Sequence, residues 1–116
     1  MEFYRINAQM LPKVNFVDET EIRPPYVHRK RRAGEQILYF IRHGEMHLLE
    51  DGKPLILKPG DVCLLDKDRT HEGTKATTCN YYYVHFMHGE MELVDAKEEE
   101  AVSYTHLRAH ETSLHL

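Results

Sequence analysis

Between Gln36 and Asp66 the apolar positions come in short bursts cut by turn residues. Gln36–Arg42 (QILYFIR) and Glu45–Glu50 (EMHLLE) are apolar-rich and are separated by His43-Gly44. Asp51-Gly52 turns the chain into Pro54–Lys58, Pro59-Gly60-Asp61 turns it again into Val62–Asp66, and a lone His71 closes the unit. Runs of about five residues joined by short Gly-containing turns predict strands, arranged as an antiparallel meander or a small barrel. Such a shape encloses a pocket, so the inward positions carry the chemistry.

Asn80–His88 (NYYYVHFMH) is built from aromatic and β-branched residues and gives the strongest strand signal. A period of two puts Tyr81, Tyr83 and His85 on one face and Tyr82, Val84 and Phe86 on the other. Upstream the pattern is weaker. Phe3–Leu11 has no clean period, Lys13–Val17 predicts a short strand, and Asp18–Glu21 is acidic. Arg23-Pro24-Pro25 is extended or a turn, and Tyr26–His28 begins another strand. Arg29–Arg32 forms a basic knot before the Ala33-Gly34 turn. Lys67–Thr70 and Thr74–Thr78 are polar loops, and the acidic Gly89–Glu100 reads as the frayed start of a helix.

At 116 residues the chain is at most one domain, with 41% hydrophobic and 29% charged residues, as in a soluble globular protein. The net charge of −4 argues against non-specific nucleic-acid binding. No run approaches the roughly 20 apolar residues of a membrane span. The N-terminus lacks the basic-then-apolar order of a signal peptide, so the cytoplasm is the expected compartment and no membrane partner is expected. Cys63 and Cys79 fit that compartment as free thiols.

The order Gly turn, strand, Pro-Gly-Asp, strand, loop, His is the second half of the cupin pattern. More closely, residues 37–73 (ILYFIRHGEMHLLEDGKPLILKPGDVCLLDKDRTHEG) and Tyr81–Phe86 (YYYVHF) resemble the N-terminal sensing domain of AraC-type transcription regulators. The likeness runs from about Tyr26 to Phe86. It implies an all-β, cupin-like jelly-roll barrel over residues 26–100, preceded by an arm and first strands over 1–25. It also implies a small-molecule effector, often a sugar, and switching through the N-terminal arm. In that family dimerising helices and helix-turn-helix motifs follow. Nothing like a DNA-binding domain follows here, so the chain is expected to be a sensing fragment that forms a homodimer and reaches DNA only through a missing C-terminal domain.

The tail, Ala101–Leu116, is a separate matter. Val102–Thr112 (VSYTHLRAHET) resembles one reading frame of a transposon adaptor used in sequencing libraries. Residues 101–116 are therefore expected to be non-native and are set aside, His106, His110 and His115 with them.

Four constellations bear on chemistry. Cupin enzymes hold a metal with two His and a Glu from the first half and a His from the second. His71 matches the last, but the region of the first-half His-x-His reads HRKRRAGEQ, with His28 alone and cations beside it. A protein metal site needs three or four ligands, so no metal and no cofactor is expected. His71 is expected to be a hydrogen-bonded barrel residue, structural or touching the effector. No Ser/His/Asp or Cys/His arrangement stands out, and Gly44, Gly52 and Gly60 are turn glycines rather than a phosphate cradle, so no catalysis is expected. The alternative is a small stand-alone metal-dependent cupin enzyme.

Tyr81 and Tyr83, with Tyr39, form an aromatic set whose phenols suit a sugar's apolar C–H faces and hydroxyl edges, although plain core packing explains the same pattern. The resemblance favours Tyr81 and Tyr83 as the inward pair. It also makes Arg29 or Arg31 a fork for hydroxyls or a carboxylate. The competing account of the basic knot is a solvated turn balanced by Asp18, Glu19 and Glu21. The expected effector site is Arg29, Tyr39, His71, Tyr81 and Tyr83.

Overall fold

The computed structural model describes residues 2–95 and the backbone of residues 106–108. Among them there are ten strands and no helix. In chain order these are β1 (Glu2–Ile6), β2 (Lys13–Ile22), β3 (Gln36–Gly44), β4 (Met46–Glu50), β5 (Lys53–Leu57), β6 (Val62–Leu65), β7 (His71–Gly73), β8 (Cys79–Met87), β9 (Met91–Asp95) and β10 (His106–Arg108). They form three antiparallel sheets, ordered β10-β1-β9, β2-β8-β3-β6 and β5-β4-β7. The fold is all-β and cupin-like, as the family resemblance implies.

The β2-β8-β3-β6 and β5-β4-β7 sheets enclose the main core. It is built from Ile37, Tyr39 and Ile41 of β3, Met46 and Leu48 of β4, Leu55 and Leu57 of β5, Cys63 and Leu65 of β6, and Cys79 and Tyr81 of β8. Each aliphatic side chain fully buried there contributes about 1.5–3 kcal/mol of transfer free energy. The opposite face of the larger sheet buries Leu64 and Phe86 against Tyr4 of β1, with Leu38, Val84, Met91 and Leu93 packed around them. Both faces of β3 and β8 are thus covered, which is why β3 reads as a nearly continuous apolar run. Cys63 and Cys79 are buried free thiols, and burial pushes Cys63 up to about 12 and Cys79 up to about 11.

One turn glycine is dictated by both torsion and space. Gly44 has φ of 73°, and a Cβ there would stand 1.9 Å from the Thr78 carbonyl oxygen. A polar network closes the barrel beneath the core. The fully buried Glu50 accepts the Asp66 amide (3.4 Å) and lies 3.5 Å from the Arg69 guanidinium, which also pairs with Glu2 of β1.

Several sequence expectations are revised. The strand begun at Lys13 does not stop before the acidic run but continues to Ile22, because the nine-residue β8 offers a partner all the way to Cys79. The charge is accommodated by Glu19 pairing with Arg42 at 2.7 Å and Glu21 pairing with Arg23. Tyr26–His28 is not a strand. It is irregular backbone that follows a turn closed by the Tyr26 amide on the Arg23 carbonyl. The helix expected from Gly89 is instead β9, since alternation of Met91 and Leu93 toward the Tyr4 cluster outweighs the acidic composition; residues 96–100 lie outside the described residues. Of the tail set aside above, His106–Arg108 runs antiparallel to β1, and the rest lies outside the described residues.

Candidate functional site

Strand register decides which side chains meet inside the larger sheet. Tyr83 sits between Tyr39 of β3 and Asp18 of β2, Tyr81 between Ile41 and Thr20, and His85 between Ile37 and Phe16. Directly paired residues share a face, so these positions form one inward surface. The β2 part of that surface depends on an irregularity between Val14 and Phe16. It turns Phe16 inward although Val14, two residues earlier, opposes Phe86 on the other face.

That surface bounds a cavity of about 420 Å³. Phe16 and Thr20 supply one wall, and Tyr39, Tyr81, Tyr83 and His85 supply the floor. The segment between β2 and β3 covers the mouth with Tyr26, His28, Arg29 and Arg31. The rings form a continuous set. Tyr39 and Tyr81 meet edge to face at 5.0 Å between centroids, Tyr81 and Tyr83 lie 6.1 Å apart, Phe16 lies 5.8 Å from Tyr83, and His28 lies 6.3 Å from both Tyr39 and Tyr81.

Two backbone links hold the covering segment down. Arg31 and His71 exchange amide–carbonyl hydrogen bonds of 3.0 and 2.9 Å. The Gly73 amide donates to the His28 carbonyl at 2.7 Å. Gly73 is required to be small, since a Cβ there would stand 2.7 Å from the His28 nitrogen.

The electrostatics of the cavity follow from burial and the arginines. Burial lowers the His28 imidazole to about 4, with His71 and Arg31 adding to the effect. Burial also lowers His71, again with Arg31 contributing. Both rings are therefore neutral near pH 7. Burial pushes Tyr39 up to about 12 and raises Tyr81 further. His85 Nδ1 lies 2.7 Å from Glu35 Oε1, while Asn15 Nδ2 donates to Glu35 Oε2 at 2.8 Å. Those two hydrogen bonds, Asn15's first, hold the Glu35 carboxyl below its ordinary range.

Of the residues expected from the sequence, Arg29, Tyr39, Tyr81 and Tyr83 all border this cavity, whereas His71 does not. His71 is buried beside the covering segment, and among the described residues neither ring nitrogen has a hydrogen-bond partner. The basic knot is not balanced by Glu19 and Glu21, which are engaged by Arg42 and Arg23 instead. Phe16, Thr20, Tyr26, His28 and His85 also line the cavity and lie outside the expected set. Phe16 and Thr20 depend on the β2 irregularity, which leaves no trace in composition. His85 was visible as the next inward position after Tyr83.

Cupin folds often hold a metal, so the donor set matters. Among the described residues no three His, Cys, Asp or Glu side chains gather as ligands would. His71, the one residue matching the cupin ligand pattern, has Arg31 against it. These residues do not fit a bound divalent ion.

Comparison with known proteins adds three findings. A family model described as AraC-like ligand binding domain matches residues 20–113. No curated protein sequence matches the chain. Among solved structures, the chain is similar to a predicted oxalate decarboxylase from Thermotoga maritima at 25% identity and a TM-score of 0.52, over 65% of this chain and 68% of that one. It is also similar to a cupin protein from Bacteroides fragilis at 13% identity and a TM-score of 0.55, over 73% of each chain.

Proposed function

The chain belongs to the family of AraC-like ligand binding domains, and from that premise we propose that it is the effector-sensing part of a transcription regulator. The observation that carries the proposal is the tyrosine-floored cavity of about 420 Å³. That volume lies in the usual range for small-molecule sites, roughly 300–1,000 Å³. Tyr39, Tyr81 and Tyr83 present ring faces and edges to apolar C–H groups, while Thr20, His28 and the arginines offer hydrogen bonds around them. A sugar or similarly hydroxylated metabolite suits that mixture.

The proposed role is binding, with no catalytic step. A small molecule alters the protein only by binding two of its states unequally. The covering segment, residues 26–31, is the part whose position a ligand would set, because it closes the cavity and rests on few backbone hydrogen bonds. DNA contact belongs in this proposal to a separate helix-turn-helix domain, and the working form is a cytoplasmic homodimer. No helix among the described residues is long and apolar enough to cross a membrane.

The test is a thermal-shift screen of sugars and hydroxylated metabolites against the purified chain, repeated with Tyr83→Ala. A ligand that raises the melting temperature of the parent and loses that effect in a folded Tyr83→Ala variant supports the proposal. A ligand that stabilises both equally removes the cavity as its site. Sedimentation giving only a 13.7 kDa species would remove the homodimer.

A further inference from the structure

We infer that the effector carries a carboxylate, held by Arg29 and Arg31 at the mouth of the cavity while the rest of the molecule lies on the tyrosine floor. This inference rests on the effector-binding role proposed above and narrows it to acids such as sugar acids and aromatic or hydroxylated carboxylic acids.

The charged side chains that line the cavity are of one sign. Its lining contains two arginines and two histidines and not one Asp or Glu. Two carboxylates stand near it, and both are occupied. Asp18, opposite Tyr83 in the sheet, accepts the Glu19 amide at 2.7 Å. Glu35 is engaged by Asn15 and His85. The acids that the sequence sets near the basic knot are spent elsewhere, Glu19 on Arg42 and Glu21 on Arg23. Among the described residues no ion pair engages Arg29 or Arg31.

Among the described residues His28 Nε2 has no hydrogen-bond partner. Arg29 and Arg31 are exposed at the rim of the cavity, where their guanidinium groups are open to a ligand. Guanidinium groups match carboxylates two bonds at a time, and such charge-assisted pairs are about twice as strong as neutral ones. A neutral hydroxyl ligand forms only ordinary hydrogen bonds with these guanidinium groups. An acid forms the stronger, charge-assisted pair with one or both.

The experiment compares three acid–amide pairs of matched shape: benzoate with benzamide, gluconate with gluconamide, and glucuronate with glucuronamide. Each is titrated into the ¹⁵N-labelled chain while the amide signals of His28, Tyr39 and Tyr83 are followed. At least one acid is expected to shift these signals saturably and to bind about ten-fold or more tightly than its amide. That preference should collapse in Arg29→Gln/Arg31→Gln. Amides that bind as tightly as their acids, or a preference untouched by the double variant, overturn the carboxylate inference and leave the cavity as a site for neutral molecules. If no member of either set moves these signals, the carboxylate inference and the cavity as effector site fall together.

Discussion

The Gly73 amide donates a 2.7 Å hydrogen bond to the His28 carbonyl, and a Cβ on Gly73 would stand 2.7 Å from the His28 nitrogen. The closeness of this contact sets how far the covering segment can sink toward the tyrosines. The first prediction follows from it. Gly73→Ala must lift residues 27–28, since Val27 Cγ1 would also be only 2.8 Å away. Overpacking of this kind costs about 1–3 kcal/mol, and each kcal/mol lowers the melting temperature of a small domain by roughly 4–8 °C. Ligand affinity should fall about ten-fold as well. A calorimetric titration with unchanged affinity in a destabilised variant would mean that the segment does not shape the site.

Gly44→Ala and Gly52→Ala form a matched test of space against torsion. Both glycines have positive φ, 73° and 81°, but only Gly44 faces an obstacle, the Thr78 carbonyl oxygen at 1.9 Å. Gly52→Ala should cost only the left-handed penalty, about 1–2 kcal/mol. Gly44→Ala should cost more, up to loss of the folded state. Urea denaturation giving equal midpoints for the two variants would refute the close approach of Gly44 to Thr78.

Tyr81 is buried while Tyr83 is half-buried. Tyr81→Ala is therefore expected to lower stability by about 3 kcal/mol or more through loss of core packing. Tyr83→Ala should leave the fold nearly intact and weaken effector binding by about 1–3 kcal/mol. Parallel melting and binding curves separate the two effects, and a stability loss in Tyr83→Ala as large as that in Tyr81→Ala would contradict the assignment.

The pH dependence has a definite sign. His28 is depressed in the folded chain from 6.5 to about 4, so folding favours its neutral form. That contribution is complete above about pH 6.5 and is lost as the pH falls from there toward 4. His71 is shifted in the same direction by burial. Melting temperature should drop by several degrees across that window, and His28→Gln should flatten the drop. A steeper fall in the variant would show that another group governs it.

Elemental analysis should find no stoichiometric iron, manganese or zinc, and a chelator should leave the melting temperature unchanged. Stoichiometric metal that disappears in His71→Ala would replace the sensing role by that of a metal-dependent enzyme.

Much of the barrel was legible because its signals are local. The β3–β6 strands are bounded by Gly44, Gly52 and Gly60, which turn the chain at positive φ. Parity alone puts Tyr81 and Tyr83 on one face of β8. What was not legible depends on distant partners. β7 is three residues long and has no apolar pattern, and it forms because β4 offers it an edge. β9 is acidic and is recruited by β1. Phe16 points inward only because the ladder slips after Val14. His71 carried the right motif, but it is buried beside Arg31 and does not line the cavity.

The wall that bears Phe16 and Thr20 is β2, which occupies the end of its sheet and is laddered on one side only among the described residues. The floor strands β3 and β8 are laddered on both sides. The cavity is consequently like a box whose floor is fixed along two edges and whose β2 panel is fixed along one. Amide protons along β2 should exchange with solvent well before those of β3, and a guest can be admitted by breathing of that panel without disturbing the core.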